Sequence, residues 1–169
     1  IAFCCMSCEG TMFDWSGIYF QKVIRAEKDW IGIGYTAFMS AMAATRFIAD
    51  KIAGRIGIRN VIRYSGLLIA TGLGIAIVFP TLLWGIIGFF LVGIGVSSVV
   101  PLVYSEAGRS KSLSPGIALA AISGIGFLGF LMGPPLIGIV SGLFSLRISF
   151  LIISMMGITI AILSRRIST

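Results

Sequence analysis

Glu9 and Asp14 are the side chains of this 169-residue chain best placed to do chemistry, because both interrupt an apolar segment, 1–20. Glu9 stands near its middle. An ionisable group at that depth of an apolar helix is costly and usually faces a polar cavity. Five positions separate the two, about 140° around a helix axis, so they do not share one face. Gly10, Thr11 and Gly17 around them fit a helix that lines a cavity. The chemistry open to such a pair is proton coupling, or hydrogen bonding to the hydroxyls of a bound solute. The plainer alternative leaves Asp14 in a headgroup zone and pairs Glu9 with a basic residue elsewhere.

A second constellation is Arg46, Asp50, Lys51, Gly54 and Arg55, followed by Gly57 and Arg59. Asp50 follows Arg46 at the i, i+4 spacing that brings opposite charges together on a helix. Gly54 and Gly57 permit a tight reversal. The expectation is a helix end that meets a short basic loop. Such a clip can hold a gate shut and release it on rearrangement. Its bland counterpart is a basic anchor at a membrane surface.

Other chemistry is poorly supplied. The chain contains no His, which removes a Ser-His pair and the commonest metal ligand. Cys4, Cys5 and Cys8 lack a fourth ligand and are expected to pack rather than bind metal or exchange electrons. No metal, cofactor or enzymatic activity is expected. Arg147 is expected to anchor the last helix at an interface.

The elements that carry these residues follow from composition. The chain is 57% hydrophobic and 11% charged, with a mean hydropathy of +1.06; soluble domains carry about 25% charged residues. No charge occurs over 64–105, 112–146 or 148–164. About 20 apolar residues suffice for a helix to cross the hydrocarbon layer. Lipid demands internal pairing of every backbone amide, and barrel strands are shorter and alternate in polarity. The expected fold is an all-α integral membrane bundle with helices over 1–20, 31–49, 61–79, 82–104, 116–140 and 148–163. Pro80 divides the long uncharged run in two.

Six crossings place both ends on one side. That side carries Arg46, Lys51, Arg55, Arg59, Arg63, Arg109, Lys111, Arg165 and Arg166, nine of the 13 basic residues. The opposite side carries Lys22, Arg25, Lys28 and Arg147. Basic residues mark the cytoplasmic face, so both ends are expected there, in a bacterial cytoplasmic membrane. The net charge of +7 is therefore expected to serve topology, with no nucleic acid as partner. Trp15, Trp30 and Trp84 fall toward the outer interface. Gly129 and Gly133 form a GxxxG spacing, followed by Pro134 and Pro135. These four are expected to provide close helix packing or a hinge. The chain opens on Ile with no basic leader, so no signal peptide is expected and a longer parent protein is.

The segment around Asp50 resembles the loop motif of the major facilitator superfamily, G-x-x-x-D-R-x-G-R-R. Asp50 matches the aspartate, Lys51 the next basic residue and Arg55 a trailing one. Arg46 stands where the first glycine is usual, and Gly54 comes one position late. Residues 9–16 are similar to the seventh helix of the sugar-permease-like branch, related to fucose permease. Gly129–Pro135 with Gly138 resemble its eleventh helix, and Gly93, Gly95 and Pro101 its tenth. The resemblance implies helices seven to twelve, the carboxy-terminal half of a two-half carrier. Its partners would be the lipid bilayer, a missing amino-terminal six-helix half and a small-molecule solute. It further implies secondary transport by alternating access around a midplane site. A non-transporting fragment or assembly partner is the competing expectation.

Overall fold

Apolar runs free of charge supply the two longest helices among the described residues, which form helices joined by short connections. A computed structural model describes residues 1–109 and 114–167, with the backbone alone at Asp50. Among the described residues, six α-helices are α1 (Ala2–Tyr19), α2 (Ile33–Ile56), α3 (Ile58–Val78), α4 (Leu82–Gly108), α5 (Pro115–Leu143) and α6 (Leu146–Leu163). A π-helical turn, Phe20–Ile24, prolongs α1, and short 3-10 turns occupy Lys28–Trp30 and Ser164–Arg166.

Each boundary has a local cause. Before Pro80 the backbone of Phe79 leaves the helical region, which a following proline disfavours. Pro115 opens α5 behind Ser114, where a missing N–H costs nothing. Ser145 caps α6 by accepting a hydrogen bond from the Ile148 amide at 3.3 Å. Of the expected connection over 105–115, residues 105–108 belong to the end of α4, and 110–113, Lys111 among them, lie outside those described.

One expectation needs correction. The helix expected to end at 49 does not give way to a basic loop there: α2 continues to Ile56, and α3 begins at Ile58 rather than 61. Gly54 is helical. The reversal rests on Gly57 alone, at φ +84°, where a side chain would be strained. Ile, Ala, Lys and Arg around Gly54 are adequate helix formers, and one interior glycine costs only about 1 kcal/mol.

Among the described residues, four helices, α3 to α6, are long and apolar enough to cross a membrane. In α1 the acids Glu9 and Asp14 lower the apolarity, and in α2 Arg46, Asp50, Lys51 and Arg55 do so. At 29 residues α5 is about 43 Å long, more than the roughly 30 Å hydrocarbon layer requires.

α4 lies between α2 and α3, α3 packs on α6, and α1 pairs with α5. Glycine sets these approaches. A Cβ on Gly66 would meet the Gly157 carbonyl oxygen at 2.5 Å, joining α3 to α6. One on Gly72 would meet the Gly88 oxygen at the same distance, joining α3 to α4. Near one end of the bundle Tyr19, Phe89 and Phe150 are fully buried against each other. Tyr19 and Phe150 rings lie 4.4 Å apart, and the Tyr19 hydroxyl donates to the Ala76 carbonyl at 2.9 Å. This end therefore gathers the ends of α1 and α3.

Candidate functional site

The α1–α5 seam fixes how α1 turns. Gly129 packs against the Phe3 backbone, and a Cβ on Gly133 would lie 2.5 Å from the Ser7 carbonyl oxygen. In return a Cβ on Gly10 would lie 2.5 Å from the Phe130 carbonyl oxygen. Ser7 Oγ donates to the Gly129 carbonyl at 2.9 Å. Phe130 is four residues before Pro134, which has no N–H to offer its carbonyl. The bare Gly10 backbone thus receives a carbonyl that its own helix leaves unpaired. Pro134 and Pro135 do not end α5, which is continuous across them. Trp15 Nε1 donates to the Pro134 carbonyl at 3.1 Å and ties α1 to α5 once more.

This seam overturns part of the cavity expectation. Gly10 faces protein backbone, and Thr11 is fully buried, so neither lines open space. The hydroxyls of Thr11 and Ser16 are buried without a hydrogen-bond partner among the described residues.

With the glycine seam turned to α5, Glu9 turns toward α2. Its Oε1 lies 3.8 Å from Arg46 Nη2, an ion pair too long for a hydrogen bond. Glu9 is the eighth residue of α1, about 10 Å along an axis of about 27 Å. The pair is thus near mid-helix. The same Arg46 nitrogen contacts Met42 Sδ at 3.7 Å. The expected partner of Arg46, the side chain of Asp50, lies outside the described residues. Lys51 and Arg55 are exposed near the end of α2.

One turn beyond Glu9, Phe13 knits three helices together. Its ring lies 6.0 Å from Tyr35 and 6.2 Å from Phe38 on α2, and 5.8 Å from Phe130 on α5. Tyr35 is exposed at this aromatic floor. Asp14 points elsewhere: it is exposed and lines a groove of about 490 Å³ with Trp15, Phe130, Pro134 and Pro135. The divergence expected from the five-residue spacing is what the structure shows. Glu9 and Arg46 come together; Asp14 stands apart from both.

The pairing of Glu9 with Arg46 had only a weak sequence signal. They are 37 positions apart, and their meeting depends on α1 and α2 running antiparallel. The clue available was that α1 and α2 alone carry ionisable groups well inside their helices. Among the described residues no cluster of His, Cys, Asp or Glu could hold a metal ion. Cys5 and Cys8 are buried and unpaired, and Cys5 Sγ approaches the Val96 carbonyl at 3.7 Å.

No family model matches the chain. It is 34% identical over 160 residues to an uncharacterised MFS-type transporter of Yersinia pestis, covering 95% of this chain and 42% of that protein. It is 32% identical over 161 residues to the membrane protein MosC of Rhizobium meliloti, covering 95% of this chain and 40% of that one. An uncharacterised transporter of Sinorhizobium fredii is 31% identical over 156 residues, covering 92% of this chain and 41% of its own. The chain spans about two fifths of the length of these relatives. The apolar helices and these likenesses together identify an integral membrane protein.

Proposed function

We propose that the chain is the carboxy-terminal six-helix half of a major facilitator-type secondary transporter. It moves a small polar organic solute, sugar-like or drug-like, by alternating access. The observation that carries this reading is the Glu9–Arg46 pair near the middle of α1 and α2. Charges at mid-membrane depth are expensive and face a bundle interior or a watery cavity. Here they are confined to α1 and α2, while α3 to α6 hold none in their middles. Two helices that line a polar cavity need not be as apolar as four that meet lipid. On this account α1 and α2 also cross the membrane, giving six spans with both ends cytoplasmic.

The solute occupies the face beside Glu9, Arg46 and Tyr35, with the remaining wall supplied by an amino-terminal half. Glu9 alternates between Arg46 and a proton, which couples flux to a proton gradient. The clip of Arg46, Asp50, Lys51, Gly54 and Arg55 closes the cytoplasmic side, and the α5 segment Gly129–Pro135 supplies the bend. The competing account, a non-transporting assembly partner, draws on the exposed apolar face of α5, including Phe127, Leu128 and Leu131.

The test uses the full-length protein in proteoliposomes with radiolabelled hexoses, hexitols, pentoses and lipophilic cations. Wild type is expected to accumulate one class against its gradient when a pH gradient is imposed. Glu9→Gln is expected to keep solute exchange at equilibrium but lose accumulation against the gradient, because the group that carries the proton is gone. Flux no faster than in protein-free liposomes for every class would sink the transporter reading. Unchanged accumulation in Glu9→Gln would sink the coupling role.

A further inference from the structure

Four basic residues, Lys22, Arg25, Lys28 and Arg147, sit in the connections at the end of the bundle away from the basic α2–α3 junction. A cytoplasmic-charge bias accounts for eight of the other nine, Arg46 excepted, but not for these four. Three of the four line a single opening of about 510 Å³, where Lys22 and Arg25 follow α1 and Arg147 begins α6. Trp15, Ser141 and Ser145 complete its polar lining, and no acidic side chain is among its lining residues.

The backbone supports this convergence. The π-helical turn Phe20–Ile24 delays the end of α1, and its capping residue Arg25 takes a left-handed conformation at φ 58° and ψ 41°. Glycine occupies that region freely; an arginine there is uncommon and is kept only where its surroundings fix it. π-Helical turns occur often at functional sites. On the other wall, Ser145 caps the start of α6, so the opening also receives the positive end of a helix of 18 residues.

We infer that this opening binds an oxyanion of phosphate type, held by Lys22, Arg25 and Arg147. Three like charges facing one concavity raise its potential, and a bound anion relieves their repulsion. Arginine forks match the paired oxygens of phosphate, and the Ser145 hydroxyl, which accepts from the Ile148 amide, keeps its own hydrogen to donate to a remaining one. A volume of about 510 Å³ exceeds a lone phosphate and falls in the usual range for a ligand with an organic body. The half-buried Trp15 ring offers that body an apolar wall. The carrier is either a free phosphorylated solute or the headgroup of an anionic lipid. Asp14 lines the adjoining groove across Trp15, so it sets a boundary to the anion's reach. This site stands at the end of the bundle and does not depend on transport through the middle.

The experiment uses the full-length protein in nanodiscs with Trp30→Phe and Trp84→Phe, leaving Trp15 to report from this chain, and reads the change against a Trp15→Phe blank. Inorganic phosphate is titrated in pure phosphatidylcholine, then phosphatidylglycerol is incorporated instead. A saturable emission change with phosphate, weakened about tenfold by Arg147→Gln or Lys22→Gln, supports a free oxyanion. No response to phosphate but a shift with phosphatidylglycerol, lost in the same variants, supports the headgroup. Arg147→Lys is expected to restore most of the response, and Lys28→Gln, at the same end but outside the opening, to leave it intact. If Arg147→Gln fails to fold, Lys22→Gln carries the comparison. No response to either probe, or an equal loss in Lys28→Gln, overturns the site.

Discussion

Glu9 has 13% of its side chain accessible, against 53% for Arg46, and this asymmetry makes the two halves of the ion pair unequal. Removing the arginine strands a carboxylate that solvent barely reaches. Removing the carboxylate leaves a cation that is already half solvated. An unsatisfied buried polar group costs about 1–3 kcal/mol, and more when charged. Arg46→Gln is therefore expected to lower the Tm of the full-length protein in detergent by several degrees, and Glu9→Gln by much less. The double variant should recover most of the loss. Equal shifts from the two single variants would show that the pair is not organised in this way. From sequence, Glu9 could be singled out because its type clashes with its surroundings. Its partner could not, since Arg46 is equally consistent with pairing to Asp50 one turn along α2.

At the scale of helices, glycine decides which surfaces meet. Adding one methyl at Gly10 forces a clash with the Phe130 backbone oxygen, which cannot swing aside as a side chain would. Overpacking of this kind costs about 1–3 kcal/mol. Gly124, on the same α5 that supplies Phe130, has nothing within 4 Å of an added Cβ. Gly10→Ala is expected to lower the Tm, while Gly124→Ala is neutral or raises it, because alanine is the better helix former by about 1 kcal/mol. Thermal unfolding followed by circular dichroism decides between them; a neutral Gly10→Ala would mean the seam is looser than the structure has it. The GxxxG spacing at Gly129 and Gly133 was legible as a close approach, but not its target. A glycine pair advertises a flat surface without naming what lies on it. The end of α2 was illegible for the opposite reason. Basic residues and two glycines read as a loop, yet only Gly57 takes a backbone angle that ends a helix.

For the whole molecule, the connections sort to the ends of the bundle, as the proposed six crossings require. The Tyr19–Ala76 bond brings the ends of α1 and α3 together, and the opening at Lys22, Arg25 and Arg147 does the same for α1 and α6. The connections α1–α2, α3–α4 and α5–α6 therefore share one end. Cysteine substitution should register this directly. In intact cells, Lys28→Cys is expected to react with a membrane-impermeant maleimide, and Arg165→Cys only after permeabilisation. Both residues are exposed, so a lack of access cannot come from packing. The reverse pattern would invert the topology. Strong hydrophobicity made α3 to α6 plain in sequence, whereas the charged residues inside α1 and α2 lower their apolarity. The residues that point to function are the ones that weaken the evidence for a span.

The seam between α1 and α5 also has a consequence in time. Ser7 and Gly129 are 122 positions apart. At synthesis rates of about 5–20 residues per second, α1 leaves the ribosome roughly 6 to 24 seconds before its partner exists. During that wait its small-residue groove has no second backbone, and its two carboxylates sit in a helix that lipid accepts poorly. On the proposed six-span account, α1 lingers at the insertion machinery or re-enters the bilayer beside α5. Biogenesis of this bundle is expected to be governed by its first helix rather than its most hydrophobic ones.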